Sequence, residues 1–214
     1  YGRLVLADDR TLAAIVEHRD ATPEQLEIGL CNSGMMVADA KVLFNLLGQV
    51  TSDNTMGELY LTDIIALAKA QNLVCDVVMG DEDEVMGINS RADLANAETV
   101  AQDRLREQAM AGGATLIDPA TVTLSFDTVL GSDVVIEPNV IFGPGVTIGD
   151  NVTIKGFSHI EGAIIADGAS VGPFARLRPG TEIGNAARIG NFVEIKNAKV
   201  ADGAKASHLS YLGD

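Results

Sequence analysis

"FGPGVTIGDNVTIKGFSHI", residues 142–160, carries an apolar side chain at every sixth position: Phe142, Ile148, Ile154 and Ile160. That period matches neither the 3.6 of an α-helix nor the two of an ordinary half-buried strand. It fits a chain wound round a three-sided prism, with one short parallel strand and one corner per hexapeptide. Working outward, the rule already holds at Leu130 and Ile136. Past Ile160 it slips by one residue and continues as Ile165, Val171, Leu177, Ile183, Ile189 and Ile195; it slips again to Val200, Ala206 and Leu212. Small or β-branched residues such as Val146, Val152, Ala169 and Ala187 follow four places after the apolar one, and Gly often stands directly behind it, as at Gly143, Gly149 and Gly172. Fifteen coils obey the pattern, so a parallel β-helix is expected; a run of unrelated short strands is the rival.

Residues 1–126 read differently. "GRLVL" and "LAAIVEH" predict two strands turning at Asp8-Asp9. "TPEQ" has the Thr, first-turn Pro and third-position Gln of a capped helix start, and Asp39 caps a helix over 40–47. "LCNSGMMVA" and "LVCDVVMG" predict buried strands, and "GELYLTDIIALAKAQ" an amphipathic helix. A long helix from Arg91, with Leu94, Ala97, Ala101 and Leu105 on one stripe, stops at Gly112-Gly113. Alternating strands and helices predict an α/β layer without a first strand or phosphate loop. The expected division is therefore 1–90, the back half of an α/β domain; 91–112, a linker helix; and 113–214, the β-helix.

The chain has 214 residues, 47% of them hydrophobic, and a net charge of −15. Residues 1–126 hold 20 acidic and 8 basic side chains, residues 127–214 hold 10 and 7. An acidic body of this kind argues against nucleic acid. Six of the seven basic residues in the second part fall between Arg176 and Lys205, a local cluster suited to a small phosphorylated ligand. Cys31 and Cys75 lack metal-ligand spacing, which fits a reducing cytoplasm. No apolar stretch is long enough to cross a bilayer, and Tyr1 opens the chain inside an apolar run, so a piece of a longer protein is expected.

Within the cluster, Arg178 and Lys196 are 18 residues apart, each one place after an inward residue. Three hexapeptides complete one turn, so the two should stack on adjacent rungs, roughly 4.8 Å apart along the axis. Like charges that close repel by about 1 kcal/mol even in water, and a phosphate between them would relieve this. The competing reading is two solvated cations splayed apart. His208 stands on the next face round and could take a proton from an amine or hydroxyl; alone, a His there is more often a surface or interface residue. Tyr211 adds a hydroxyl or a packed aromatic. His159 and His18 read as structural. Gly2, Glu17, Asn32 and Asn89 sit at predicted strand ends or in loops, where amide and carboxylate groups suit sugar hydroxyls or serve as caps.

The words "YGRLV", "AAIVEHRDAT", "CNSGMMVA", "GELYLTDIIALA", "VMGINSRADLA", "VGPFARLRPG", "IGNFVEIKNAKV" and "KASHLSYLGD" together span essentially the whole chain. In them the chain resembles the bacterial family of bifunctional N-acetylglucosamine-1-phosphate uridyltransferases / glucosamine-1-phosphate N-acetyltransferases, enzymes of cell-wall precursor synthesis. The resemblance implies the C-terminal part of a Rossmann-like nucleotidyltransferase domain followed by a left-handed β-helix, assembled as a cytoplasmic homotrimer with no membrane partner. It implies that Gly2, Glu17 and Asn32 hold the sugar nucleotide and that Asn89 binds product and helps hold Mg²⁺. It implies that Arg178 and Lys196 grip the sugar phosphate, that His208 is the general base, and that Tyr211 touches substrate. The implied substrates are glucosamine 1-phosphate and acetyl-CoA for one step, N-acetylglucosamine 1-phosphate and UTP for the other. The family's Gly-rich loop, activating Lys and Mg²⁺-binding Asp would precede Tyr1, and most acetyl-CoA contacts would follow Asp214, so this stretch alone is expected to be inactive. Ser33 and Ser210 stand where Thr is usual. Two other readings stay open: a sugar-phosphate nucleotidyltransferase with a regulatory β-helix, and a non-enzymatic trimerising scaffold.

Overall fold

A computed structural model describes every residue, Tyr1–Asp214. The chain divides into two units, Tyr1–Asn89 and Ser90–Asp214.

In the first unit, β1 (Arg3–Leu6) and β2 (Leu12–Val16) form an antiparallel hairpin. The expected turn is there: Asp9 Oδ1 accepts from both the backbone N–H and the hydroxyl of Thr11. Helix α1 (Pro23–Leu26) begins with the reciprocal cap read from "TPEQ", Thr22 and Gln25 each bonding the other's backbone N–H. Helix α2 (Ala40–Leu47) starts at Asp39, whose carboxylate accepts from the N–H groups of Lys41 and Val42. Helix α3 (Ile64–Ala70) follows a short 3-10 turn, Leu61–Asp63, so the predicted helix over "GELYLTDIIALAKAQ" is shorter than its pattern.

The Rossmann-like layer expected here is not formed. Its two further strands, "LCNSGMMVA" and "LVCDVVMG", form no ladder: Cys31 makes an isolated bridge to Arg3, and the Cys75 carbonyl accepts one bond, from Leu12 N–H. Apolar pattern selects which side is buried, but a strand also needs a partner backbone on its edge. Cys75 and Val77 pack into the small core of Leu4, Leu12 and Ile15, whereas Val74 and Val78 point outward, 80% and 96% exposed.

The second unit is a parallel β-solenoid, as the six-residue period requires. Its strands pair with those one turn away. The offset is 18 residues at Val135↔Thr153 and Ser170↔Arg188, and 17 at Thr153↔Ser170, where the phase slips. Five short strands stack on one face, from Val129–Leu130 up to Lys199–Val200, and the other two faces share the second sheet. The inward residues are sealed: Ile136, Ile154, Ile160, Val171, Leu177 and Ile195 are completely inaccessible. Each such side chain stabilises the fold by roughly 1.5–3 kcal/mol.

Three columns of left-handed backbone mark the corners. One runs Asp133, Asn151, Gly168, Ala186, Gly203; another Gly145, Gly162, Gly180, Asn197; both are built of Gly, Asn, Asp and a single Ala. The remaining corner runs Asn139, Phe157, Phe174, Phe192, Leu209, with φ between 50° and 62°. Such backbone costs an L-residue roughly 1–2 kcal/mol. The three rings recover part of it by stacking, with centroids 5.0 and 5.1 Å apart, contacts of about 0.5–1.5 kcal/mol each.

Helix α4 (Arg91–Ala111) opens with a second reciprocal cap, Ser90 with Asp93, and ends at Gly112 as expected. Its inward stripe differs from the predicted one. Leu105 packs on the solenoid core, but Leu94 and Ala101 are exposed, and the buried position is Gln102. The helix lies against the edge Val122–Leu124, whose backbone needs hydrogen-bond partners. Gln102 donates to Leu124 O (2.7 Å) and accepts from Leu124 N–H (2.9 Å), while Arg106 Nε donates to Val122 O (2.8 Å). Polar side chains face inward because the surface they meet is polar backbone.

Candidate functional site

Face and rung fix the addresses of the candidate residues on the solenoid. On the face between the aromatic corner and the Gly–Asn corner, Arg176 pairs with Glu194 and Leu177 with Ile195, so Arg178 lies opposite Lys196 on the next rung. The backbone carries the same step: Arg178 N–H donates to Ile195 O and Lys196 N–H to Leu212 O, each at 2.9 Å. One rung on, Tyr211 pairs with Glu194; one rung back, His159 pairs with Arg176. The face therefore carries three cations, Arg176, Arg178 and Lys196, with Glu194 among them and Glu161 opposite Arg178 on the rung before. Lys196 makes no ion pair, whereas Glu194 binds Arg178 Nη1 at 3.1 Å and lies 3.9 Å from Arg176 Nη1.

His208 pairs with Asn191 on the neighbouring face, just before the corner residue Leu209. Within one chain it is thus separated by the corner from the face that holds Arg178, Lys196 and Tyr211. Its own side chain is exposed, and Tyr211 donates its hydroxyl to Asp214 O at 2.9 Å. Sequence reasoning missed Glu194. Its only signal was an acid standing between Arg188 and Lys196, one place before an inward Ile.

In the first unit the four named residues gather around the chain start. Gly2 is buried, its carbonyl accepts from Asn32 N–H at 2.9 Å, and a β-carbon there would lie 2.8 Å from Ile15 Cγ2 and 3.3 Å from Glu17 Oε1. Glu17 accepts from the Thr62 hydroxyl at 3.1 Å. The loop of Asn89 is tied in by Gly87 N–H donating to the Tyr1 hydroxyl at 3.1 Å. Beside them lies an open cleft of about 360 Å³ lined by Glu17, His18, Arg19, Met56, Glu58 and Tyr60. No three His, Cys, Asp or Glu side chains converge to hold a metal ion. Asn89 offers one neutral oxygen, where Mg²⁺ usually takes one or two carboxylates besides substrate phosphates and water. The residues of this chain by themselves do not fit the expected Mg²⁺ site.

Two carboxylates near the cleft are driven apart. Hydrogen bonds from Thr55 and from the Tyr60 hydroxyl hold Asp20 below the usual carboxylate range, while burial, then the charges of Asp20 and Glu17, push Asp63 above it. By linkage, Asp63 lowers stability as pH rises from the ordinary Asp range through its raised value. Asp20 contributes stability that is present above the ordinary range and lost as pH falls through its lowered one. Carboxyl NMR titration is expected to show Asp63 protonating at higher pH than Asp20, and Asp20→Asn should bring Asp63 down. An Asp63 midpoint at or below the ordinary value would contradict this.

The fold and its repeats define a class. Residues 127–162 and 162–197 match the bacterial transferase hexapeptide, six repeats, so the solenoid carries the repeat of that class. Over its whole length the chain is related to the bifunctional proteins GlmU. It is 60% identical to that of Rhodospirillum rubrum, over 100% of this chain and 48% of the relative. It is 58% identical to that of Paramagnetospirillum magneticum and 57% to that of Sphingopyxis alaskensis, each over 100% of this chain and 47% of the relative. The chain thus spans about half the length of the curated relatives it matches. Among solved structures, the acetyltransferase domain of PglB from Neisseria gonorrhoeae FA1090 aligns over 55% of this chain and 61% of its own, with a TM-score of 0.43 and 18% identity. No helix is long and apolar enough to cross a membrane.

Proposed function

We propose that the solenoid takes part in acetyl transfer from acetyl-CoA to glucosamine 1-phosphate, within a cytoplasmic homotrimer whose solenoids wind left-handed. The observation that carries the reading is the pair Arg178 and Lys196 on adjacent rungs of one face, with the ammonium unpaired. Arg178 supplies a planar fork and Lys196 a point charge to the sugar phosphate. His208 takes a proton from the substrate amine as its nitrogen attacks the thioester carbonyl. The C–S bond breaks, and the thiolate of coenzyme A leaves and is protonated. Because His208 and the cations sit on different faces, the reading has a second copy bring them together, with Tyr211 contacting substrate.

For the first unit the reading is uridyl transfer from UTP to N-acetylglucosamine 1-phosphate, with Gly2, Glu17, Asn32 and Asn89 holding the sugar nucleotide. The 214 residues by themselves are expected to turn over neither reaction.

Calorimetry with glucosamine 1-phosphate tests the carrying observation. Saturable binding is expected, weakened roughly 10- to 100-fold in Arg178→Ala, as befits loss of charge-assisted hydrogen bonds. The ion pairs of Glu194 with both arginines would suit a scaffold equally well. Binding unchanged by Arg178→Ala would favour that second reading.

A further inference from the structure

Glu194 stands opposite Arg176 in the ladder, yet its carboxylate reaches diagonally to Arg178, at 3.1 Å against 3.9 Å for Arg176. Arg178 spends only Nη1 on this contact. Its Nε and Nη2 form no other side-chain bond, and Lys196, directly opposite, is left without an ion pair. The two side chains of the pair keep 36% and 35% of their surface exposed, so solvent screens the bond and the stability it adds is small. What the bond does supply is orientation: it holds a long, flexible side chain by one end while the other donors stay open.

We propose that Glu194 is a positioning residue that presets Arg178 for the phosphate group shared with Lys196. The proposal rests on the reading that Arg178 and Lys196 bind that phosphate. Two effects of Glu194 oppose each other. Its negative charge beside an anion site weakens binding, while fixing the guanidinium beforehand spares the ordering cost on association. The geometry favours the second, because the carboxylate engages one end of Arg178 and leaves Lys196 alone.

The test is calorimetry of glucosamine 1-phosphate against the full chain, unaltered and as R178A, E194A and E194Q, with thermal melts alongside. Both Glu194 variants remove the same charge, but only Gln keeps an acceptor for Arg178. Binding is expected to weaken about tenfold in E194A and about threefold in E194Q, the ordering cost returning in proportion to the lost bond. Equal tightening in both would make Glu194 a mere counter-charge and overturn the proposal. So would unchanged binding in both while R178A still loses it. Should E194A unfold, E194Q decides alone: weaker binding supports the role, and unchanged or tighter binding overturns it. If the unaltered chain does not bind, or R178A binds equally well, the underlying phosphate reading fails instead.

Discussion

His208→Ala is expected to lower acetyl transfer by roughly 10²- to 10⁴-fold, the range for loss of a positioned general base. The assay is release of free thiol from acetyl-CoA, in a form of the protein that reaches the full length of its relatives. The size follows from what the imidazole does. An ammonium group cannot attack a thioester, and a neutral amine that attacks must shed a proton as the C–N bond forms. Nothing else on the exposed strand Lys205–Leu212 offers a neutral base: the Tyr211 hydroxyl is already donated to Asp214 O, and Ser210 is turned to His208 O. Glucosamine 1-phosphate affinity should change little, because the cations lie on another face. Intact turnover in the variant would remove His208 from the chemistry and favour a regulatory or scaffolding β-helix.

Ile154→Asp is expected to unfold the solenoid. Ile154 is completely buried and stacked between Ile136 and Val171 in the inward column. The change strips out its apolar contacts and puts a carboxylate where no donor is available. A buried, unpaired charge of this kind costs several kcal/mol beyond the lost packing, so the total should exceed about 4 kcal/mol. Ile154→Val, which removes one methylene, should cost about 0.5–1.5 kcal/mol. Circular dichroism with denaturant titration reads both. A cooperative, near-native transition in the Asp variant would mean that this column is not the core.

The solenoid was legible because one physical demand, an apolar residue pointing inward, recurs at each coil, so fifteen weak signals reinforce each other. Even the phase slips could be read. The first unit was less legible for the opposite reason. Each of its apolar runs is a single signal, and "LVCDVVMG" meets the strand pattern while lacking the neighbouring backbone that would make it one. In the site, the Arg178–Lys196 relation followed from spacing alone, since residues in constant phase share a column. The Arg178–Glu194 bond did not, because it links two columns at a separation of 16 residues and depends on which way a guanidinium leans. Helix α4 misled in a related way: the buried Gln102 answers to an exposed peptide edge, which an apolar stripe cannot reveal.

Both shortened coils, Ile160 to Ile165 and Ile195 to Val200, lose their residue at the same corner, the one marked by Gly162, Gly180 and Asn197. The column Ile141, His159, Arg176, Glu194, Tyr211 nevertheless runs through unbroken, its steps alternating between 18 and 17. Length changes in this molecule are therefore absorbed at a vertex, and the flat surfaces on either side keep their alignment. A lineage could trim or extend that vertex and preserve every functional juxtaposition, whereas the same deletion in mid-strand would turn inside groups out.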